Sequence, residues 1–365
     1  MTMADTKLIY FAGGCFWGTE HFFSGVDGVV SAVSGYAQGS LEFDGRPSYE
    51  QVYTDTTGFA ETVRVCYRPE RISLETLADL YFSIIDPLSL NRQGHDEGTR
   101  YRTGIYYSDP ADLPVLQGVY SAVEARIGQP LVVELEPLRN FFEAEERHQL
   151  YLDKNPDGYC HLPARVFKYL RLYQDLAALL GDEPDPVARM AETAALIYER
   201  MKFFWVGFYV VRDALGNGSG LGRELVLGPF QGPPACLRIA YGRGVCGTAW
   251  KEARTVVVPD VEAFPGHIAC SSLSRSEIVV PVFASTAPTG LSATGDGGHS
   301  ATAIANTAPT WPSAADKGPV SDPQGADCTG IARPKPIAVL DIDSTSLATF
   351  DSTDALWLEK ICRVL

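Results

Sequence analysis

The chain of 365 residues exceeds the size that one hydrophobic core usually organises, so we expect two domains. With 45% hydrophobic and 11% aromatic residues, its composition is that of an ordinary globular protein. The formal net charge of -15 argues against nucleic acid as a partner, because phosphates attract surfaces rich in Lys and Arg. We find neither a signal peptide nor an apolar run that could span a bilayer, and expect a cytoplasmic protein with no membrane partner.

Segments typical of strands and of helices alternate over the first part of the chain. Alternating or continuous apolar runs predict strands, and apolar residues at helical spacing predict helices, one of them capped by Ser73. The strands are expected in LIYFA, TVRVCYRP, TGIYYSD and LVVELEPL, and the helices in FWGTEHFF and SLETLADLYFSII. This order predicts an α+β domain over residues 1-166, in the form of an α/β sandwich.

Residues 167-365 have the pattern of a second α+β domain. Two amphipathic helices, VFKYLRLYQDLAALLG and PVARMAETAALIYERM, come first, and a helix capped by Asp351 or Ser352 comes last. Between them, strands are expected at FFWVGFYVV, ELVLGPF, CLRIAYG, TVVVPDV, EIVVPVF and PIAVLDID. From 285 to about 334 the chain is rich in Ala, Thr, Ser, Gly and Pro, which predicts a disordered insertion between two adjacent strands.

Eight cysteines raise the question of their role. In a long chain without a secretory signal they are more often core residues or catalysts than a disulfide framework. Cys15, in GGCFWG, lies where a strand turns into a helix, and the free N–H groups and dipole of a helix N-terminus favour the thiolate there. A buried structural cysteine in such a turn is the alternative that the hexamer leaves open.

The hexamer begins a longer series of motifs. SGYAQG, PSYEQVYTDTTGFAETVRVCYRP, DPLSLNRQGHDEGTRYRTGIYY and ERHQLYLDKNPDGYCH follow it in order. Together they resemble peptide methionine sulfoxide reductase A over nearly all of residues 7 to 161. The resemblance implies reduction of the S epimer of methionine sulfoxide, peptide-bound or free, by cysteine thiols without a metal or an organic cofactor.

The resemblance also implies a role for each matching residue. Cys15 is the nucleophile that attacks the sulfoxide sulfur, Glu61 is the acid that protonates the oxygen, and Cys160 condenses with the resulting sulfenic acid. Glu61 needs a raised pKa, which an apolar pocket supplies. A thioredoxin-like reductant then reduces the disulfide. His148 and His161 are expected at the surface or behind the site, without a role. The residues expected to contact the substrate are Tyr49 and Tyr101 at the oxygen, Phe16 and Trp17 at the methyl group, and Asp96 at the substrate backbone or a water.

The second domain has cysteine and acid motifs of its own. GPPACLRIAYGRGVCGTAW, HIACSSLSRSEIVVPVF and IAVLDIDST resemble free methionine-(R)-sulfoxide reductase, a GAF-type domain with an antiparallel sheet and flanking helices. The resemblance makes Cys270 the nucleophile and Cys236 the resolving thiol, with Cys246 as an alternate. A cluster of acids suits the ammonium group of a free amino acid. The matching acids are Glu277, Asp341 and Asp343, and the matching aromatic residues on the methyl side are Trp205 and Tyr209.

A GAF-type domain can also be a sensor. As a ligand sensor or a thiol-based redox sensor, it would regulate the first domain instead of catalysing a reaction. The three cysteines and the acids favour a catalyst, because a ligand sensor has no need of them. We therefore expect a fused enzyme that reduces oxidised proteins and peptides and both epimers of free methionine sulfoxide.

Overall fold

The computed structural model describes residues 6–43, 45–214, 222–268, 271–284 and 335–365. They form two compact units: the first ends at Gln174 and the second begins at Asp175, both within the helix Ala164–Leu180. The domain boundary at residue 166 stays a prediction, and the insertion expected at 285–334 lies outside the described residues. No described helix is both long and apolar enough to cross a membrane.

The first unit is built on a mixed sheet with helices around it. Its strands are β1 Lys7–Gly13, β2 Val29–Ala37, β3 Ala60–Tyr67, the short pair β4 Arg92–Gln93 and β5 Asp96–Glu97, β6 Thr103–Tyr107, β7 Glu134–Pro137 and β8 Phe141–Glu143. Its helices are α1 Phe16–Ser24, α2 Tyr49–Tyr53, α3 Leu74–Tyr81, α4 Leu113–Ile127, α5 Tyr151–Lys154 and α6 Ala164–Leu180. The described strands pair in the order β7-β6-β1-β3-β2-β8, antiparallel except between β6 and β7, while β4 and β5 pair only with each other.

The centre of this sheet is the core of the first unit. β1 and β3 lie between other strands, and Phe11 and Val63, which face each other across the pair, are fully buried. The Phe11 ring stacks on Phe23 of α1 and on Tyr81 of α3, with ring centroids 4.7 and 4.9 Å apart. The predicted cap of α3 is confirmed, since the side chain of Ser73 accepts a hydrogen bond from the backbone N–H of Thr76. These contacts pack α1 and α3 against the centre of the sheet, next to β1 and β3.

Among its described residues, the second unit contains one antiparallel sheet and three helices after α6. The strands are β9 Trp205–Asp213, β10 Arg223–Gln231, β11 Arg238–Ala240, β12 Val256–Val258, β13 Ser276–Val282 and β14 Ala338–Ser344. The helices are α7 Pro186–Met201, α8 Gly244–Glu252 and α9 Ser352–Cys362, the last capped by Asp351 as expected. Over the described residues the strand order is β11-β10-β9-β14-β13-β12. All neighbours are antiparallel, which confirms the predicted antiparallel sheet.

The strands on either side of the expected insertion pair directly. Val282 at the end of β13 lies opposite Ala338 at the start of β14, and the Ile337 N–H donates to the Val282 carbonyl oxygen at 2.8 Å. Replacing residues 285–334 by a short Gly-containing turn should therefore keep the second unit folded. The shorter connection should raise the free energy of unfolding by about 2 kcal/mol, since each halving of a flexible loop saves roughly 0.6 kcal/mol of closure entropy.

Calorimetry of the full chain measures this change. A Gly/Ser replacement of the same length is the control and should leave the transition where it is in the natural protein. An insoluble or destabilised short-turn variant would show that the pairing of β13 and β14 depends on the intervening residues.

Candidate active sites

The turn after β1 places Cys15 at the beginning of α1. Gly14 adopts a φ of 78°, in the left-handed region that glycine enters without strain. A Cβ at Gly14 would lie 2.6 Å from the Cβ of Gln93, so only glycine allows the β4–β5 hairpin to pack against the turn. The Gln93 side chain bonds both the N–H and the carbonyl of Asp86, which fixes the hairpin. Cys15 is consequently a buried N-cap residue with 5% of its surface exposed.

Glu61 projects from β3 toward the same helix end. Its carboxyl oxygen Oε2 accepts a hydrogen bond from the backbone N–H of Phe16 at 2.9 Å. Only 2% of Glu61 is exposed. Burial raises the pKa of this carboxyl to about 8, against the weaker opposing effects of the Phe16 N–H and of Arg100. The raised pKa expected of Glu61 is therefore present, and the group carries its proton at neutral pH.

The thiol of Cys15 behaves differently from the expectation. The position at a helix N-terminus was expected to favour the thiolate, and the backbone N–H of Trp17 does act in that direction. Burial is the larger effect, and together with the charge of Glu61 it raises the pKa of Cys15 well above its usual value. The expected effect of the helix end is present, but it does not compensate the loss of water around the sulfur. At neutral pH both groups are therefore uncharged.

Two tyrosine phenols accompany this pair. Burial is the main cause that raises the pKa of Tyr49 to about 12 and that of Tyr101 still further, and the charge of Glu61 contributes to both. Tyr49 begins α2, and its N–H donates to the Glu145 carboxylate at 2.9 Å. The guanidinium of Arg100 lies over the Tyr101 ring, 4.5 Å from its centroid. Both phenols keep their protons and are hydrogen-bond donors.

The aromatic residues after Cys15 form a wall. Phe16 is buried and contacts the rings of Tyr36 and His148, with centroids 5.8 and 5.4 Å away. Trp17 stacks on Tyr151 at 3.8 Å and donates its indole N–H to Nδ1 of His148 at 3.3 Å. His148 is thus 5% exposed and part of the aromatic cluster, so of its two expected places it occupies the one behind the site and not the one at the surface. Both residues lie in the quoted block ERHQLYLDKNPDGYCH, where His148 was given no role and Tyr151 was not singled out.

A cavity of about 490 Å³ opens beside this wall. Its size is that of a typical small-ligand site. Cys15 is not part of its lining, so the cavity lies next to the thiol and not directly over it. The lining residues are Trp17, Tyr49, Glu50, Tyr53, Arg147, His148 and Tyr151.

Cys160, Asp96 and His161 complete the surroundings of the thiol. Cys15 and Cys160 are both free, so the structure represents the reduced form of this site. One ligand atom each of Cys15, Asp96 and His161 lie within 4.8 Å of one another. Burial, more than the nearby charge of Asp96, raises the pKa of Cys160. His161 was expected at the surface or behind the site, yet it lies beside the thiol.

The neutral state of Glu61 leads to a testable prediction about stability. Its pKa of about 8 in the fold lies above the ordinary value of 4.5, so the proton stabilises the folded state. That contribution is complete below pH 4.5 and is lost as the pH rises through about 8. Glu61→Gln removes the titration. Its free energy of unfolding should therefore increase relative to the natural protein by about 1.4 kcal/mol per pH unit between about pH 5 and 7.5.

Calorimetric unfolding at several pH values measures this difference. Glu50→Gln is a matched control, because Glu50 is exposed and Arg147 holds its pKa near 2, below the tested range. The control difference should not vary with pH. A constant difference for Glu61→Gln as well would show that Glu61 is ionised in the folded protein.

The register of the second sheet gathers acids and aromatic residues on one face. Asp343 of β14 lies directly opposite Trp205 of β9 and Glu277 of β13, and opposed residues of antiparallel strands point to the same side. Asp341 and Tyr209 share this face because side chains alternate with a period of two. Helix α8 covers it with Cys246, whose Sγ lies 3.9 Å from Oε1 of Glu277.

The pKa values of the three acids are strongly shifted. Burial is the largest cause that raises the pKa of Glu277 and Asp341 well above the usual range and that of Asp343 to about 6. Asp341 Oδ1 has no hydrogen-bond partner among the described residues, although it is shielded from solvent. Without a cation, three buried carboxylates cannot all be ionised. The cluster therefore suits a ligand that brings a positive charge and hydrogen-bond donors.

The cysteines of the second unit are only partly described. Cys246 is free and buried, and burial raises its pKa well above the usual value. Cys236 is disulfide-bonded and packs at the edge of the core cluster that contains Trp205 and Cys246. Cys270, the expected nucleophile, lies outside the described residues.

The cavity at the acid cluster is small. Its volume of about 30 Å³ holds no more than one or two waters, so a ligand as large as an amino acid would fit only if the lining separated. Trp205 and Tyr209 are not part of the lining. The residues that line it are Ile239, Arg243, Gly244, Val245, Cys246, His267, Ile268, Ser274, Glu277, Asp341 and Asp343.

Within the described residues, two groups have donor atoms close enough to hold a metal ion. One is Cys15 with Asp96 and His161, and the other is Cys246 with Glu277 and Asp341. Each contains a thiol that the sequence assigns to redox chemistry. A metal in the first group would occupy Cys15, the expected nucleophile, so the donor set does not suit a resident cofactor of the expected reaction.

Comparison with known proteins identifies the first unit. A family model for peptide methionine sulfoxide reductase matches residues 7–175. The peptide methionine sulfoxide reductase MsrA of Clostridium acetobutylicum is 51% identical over 162 residues, which are 44% of this chain and 98% of that protein. The chain therefore belongs to the peptide methionine sulfoxide reductase family, and it is an enzyme that reduces methionine sulfoxide.

Solved structures are similar to each part of the chain. Mxr1 from Saccharomyces cerevisiae in reduced form is 41% identical, covering 44% of this chain and 91% of that chain with a TM-score of 0.41. Free methionine-R-sulfoxide reductase from Neisseria meningitidis, in complex with its substrate, is also 41% identical, covering 54% of this chain and 84% of that chain with a TM-score of 0.37. Both TM-scores are below 0.5, so no conclusion rests on these two likenesses.

Proposed function

We propose that the first unit reduces the S epimer of methionine sulfoxide, peptide-bound or free, with Cys15 as nucleophile and Glu61 as general acid. The observation that carries this proposal is the protonated Glu61 carboxyl held at the start of α1 by the Phe16 N–H, 2.9 Å away. A buried neutral acid beside a thiol can protonate the sulfoxide oxygen as the sulfur attacks. Tyr49 and Tyr101 bind that oxygen as phenol donors, and Phe16 and Trp17 enclose the methyl group.

In this reaction the oxygen moves from the substrate sulfur to Cys15. The thiol is oxidised to a sulfenic acid and the sulfoxide is reduced to the thioether of methionine. The Cys160 thiol then condenses with the sulfenic acid, which forms a disulfide and releases water. Two electrons from a thioredoxin-like dithiol restore both thiols, so the cycle needs no bound cofactor. The dependence on reduced thiols favours the cytoplasm as the place of action.

We propose that the second unit is a GAF-type reductase for the free R epimer, fused to the first. The support is the buried group Glu277, Asp341 and Asp343, in which a substrate ammonium would allow the carboxyls to ionise. Peptide-bound methionine lacks that ammonium, which restricts the site to the free amino acid. Cys270 acts as nucleophile and Cys236 as resolving thiol, with Cys246 as the alternate.

Turnover coupled to thioredoxin and its reductase tests both parts on separated substrates. The full chain should consume free R-sulfoxide, free S-sulfoxide and peptide-bound S-sulfoxide, but not peptide-bound R-sulfoxide. Failure on free R-sulfoxide alone would remove the catalytic role of the second unit. Failure on S-sulfoxide in peptides would contradict the proposal for the first.

A further inference from the structure

The imidazole of His161 is buried without hydrogen-bond partners. Both ring nitrogens are shielded from solvent, and neither has a partner among the described residues. The Gly13 carbonyl faces the ring and favours its charged form, but not in hydrogen-bonding geometry. Buried polar atoms without partners are rare in native proteins and call for an explanation. A proton that moves through the ring during catalysis is such an explanation.

The His161 ring lies near both thiols of the proposed reaction, those of Cys15 and Cys160. One nitrogen of His161 is within 4.8 Å of both the Cys15 sulfur and a carboxyl oxygen of Asp96. A Cβ built on Gly18 would lie 3.0 Å from Cε1 and Nδ1 of His161 and 3.1 Å from Sγ of Cys160. The ring and the Cys160 sulfur therefore share the space that Gly18 leaves free over the first turn of α1.

The formation of the disulfide requires a proton transfer at this place. The S–H bond of Cys160 and the S–O bond of the Cys15 sulfenic acid break, the S–S bond forms, and the thiol proton must reach the departing hydroxyl to give water. No electrons enter or leave, so the step needs no further reactant. Because burial raises the pKa of Cys160, its thiol does not ionise readily by itself. A base that takes the proton and returns it to the hydroxyl removes this barrier.

We infer that His161 transfers the proton of Cys160 to the hydroxyl leaving the Cys15 sulfenic acid. This inference rests on the proposed chemistry of the first unit. The titratable groups facing the ring are the carboxyl of Asp96 on β5 and the neutral thiols of Cys15 before α1 and of Cys160 in its own segment. Burial lowers the pKa of His161, so the free ring is neutral and accepts a proton. Asp96 favours the transient imidazolium.

His161→Gln tests the inference in a single turnover with one equivalent of peptide S-sulfoxide and no reductant. One methionine per chain should still form, because Cys15 remains. Disulfide formation should slow about 100-fold, the usual size of general acid–base catalysis, and the sulfenic acid should accumulate and be captured by dimedone. His95→Gln, at an exposed histidine of the neighbouring hairpin, is the matched control and should form the disulfide at the natural rate.

The pH profile separates proton transfer from a structural effect. In the natural protein the rate of disulfide formation should be level above the pKa of His161 and fall below it. In His161→Gln it should rise about tenfold per pH unit toward the pKa of Cys160, because only the thiolate then reacts. The same profile in both proteins, or disulfide formation at the natural rate in His161→Gln, would overturn the inference.

Gly18→Ala is an independent variant should His161→Gln not fold. Alanine is favoured within helices by about 1 kcal/mol, but its Cβ would displace the His161 ring and the Cys160 sulfur. Disulfide formation should slow while one methionine per chain is still produced. Disulfide formation at the natural rate in Gly18→Ala would show that the reaction does not depend on the space that the His161 ring and the Cys160 sulfur share above α1. If the natural protein produced no methionine at all, the proposed function of the first unit would fail, and not the role of His161 alone.

Discussion

Cys15→Ser is expected to abolish reduction of peptide-bound S-sulfoxide while free R-sulfoxide is still consumed. The buried sulfur beside Glu61 is the proposed nucleophile of the first unit, and a serine hydroxyl in its place is too weak to attack the sulfoxide. The loss should be at least about 1000-fold, as for removal of other covalent nucleophiles. Thioredoxin-coupled turnover on each separated epimer measures it.

Cys66→Ser is the matched control for this change. Cys66 is a free, half-buried cysteine in β3 of the same unit. The S-sulfoxide turnover of the control should stay within about threefold of that of the natural protein. A Cys to Ser substitution at a half-buried position away from the site costs little stability. Retained S-sulfoxide turnover in Cys15→Ser would show that another residue is the nucleophile.

Cys270→Ser should stop the consumption of racemic free methionine sulfoxide near its halfway point. Each stereospecific site accepts one epimer, so about half of the pool remains, and it should be the R epimer. Reduction of peptide S-sulfoxide should continue at the natural rate. Chiral chromatography of the sulfoxide that remains after exhaustive reaction measures its amount and identifies its epimer.

Complete consumption of both epimers by Cys270→Ser would falsify the catalytic role of the second unit, and a sensor function would then be favoured. Cys246→Ser is the companion variant. Cys246 is free and 3.9 Å from Glu277, whereas Cys236 is already in a disulfide. Sustained turnover with thioredoxin in Cys246→Ser would assign resolution to Cys236 alone.

Several elements of the fold were predictable from local sequence. The helices α3 and α7 and the strands β9, β13 and β14 follow from apolar periodicity, and their limits from capping residues such as Ser73. The strand β2 and the helix α4 were not predicted. β2 carries small and polar residues such as Ser34 on buried positions, and α4 has a weak apolar stripe of three buried residues. Their structure depends on their neighbours, which a local pattern does not contain.

The electrostatics of the site followed from the sequence only in part. The raised pKa of Glu61 was expected from an apolar pocket, whereas the raised pKa of Cys15 was not, because the balance between burial and the helix end depends on the packed environment. His148 and His161 are further examples. Both were expected at the surface or behind the site without a role, whereas packing buries His148 against Trp17 and places His161 beside Cys15.

The sequence by itself determined the residue types and their order: a thiol after two glycines, an acid in a strand, a second thiol far along the chain, and acids on neighbouring strands of the second unit. Tertiary structure decided which of them meet. The pairing of β3 with β2 and the turn at Gly14 bring Glu61 to the Cys15 end of α1, and the register of β9, β14 and β13 aligns Trp205, Asp343 and Glu277. The physical reason is that register, burial and desolvation arise from contacts between residues distant in the chain. These contacts set the protonation states of the side chains and the distances between the functional groups.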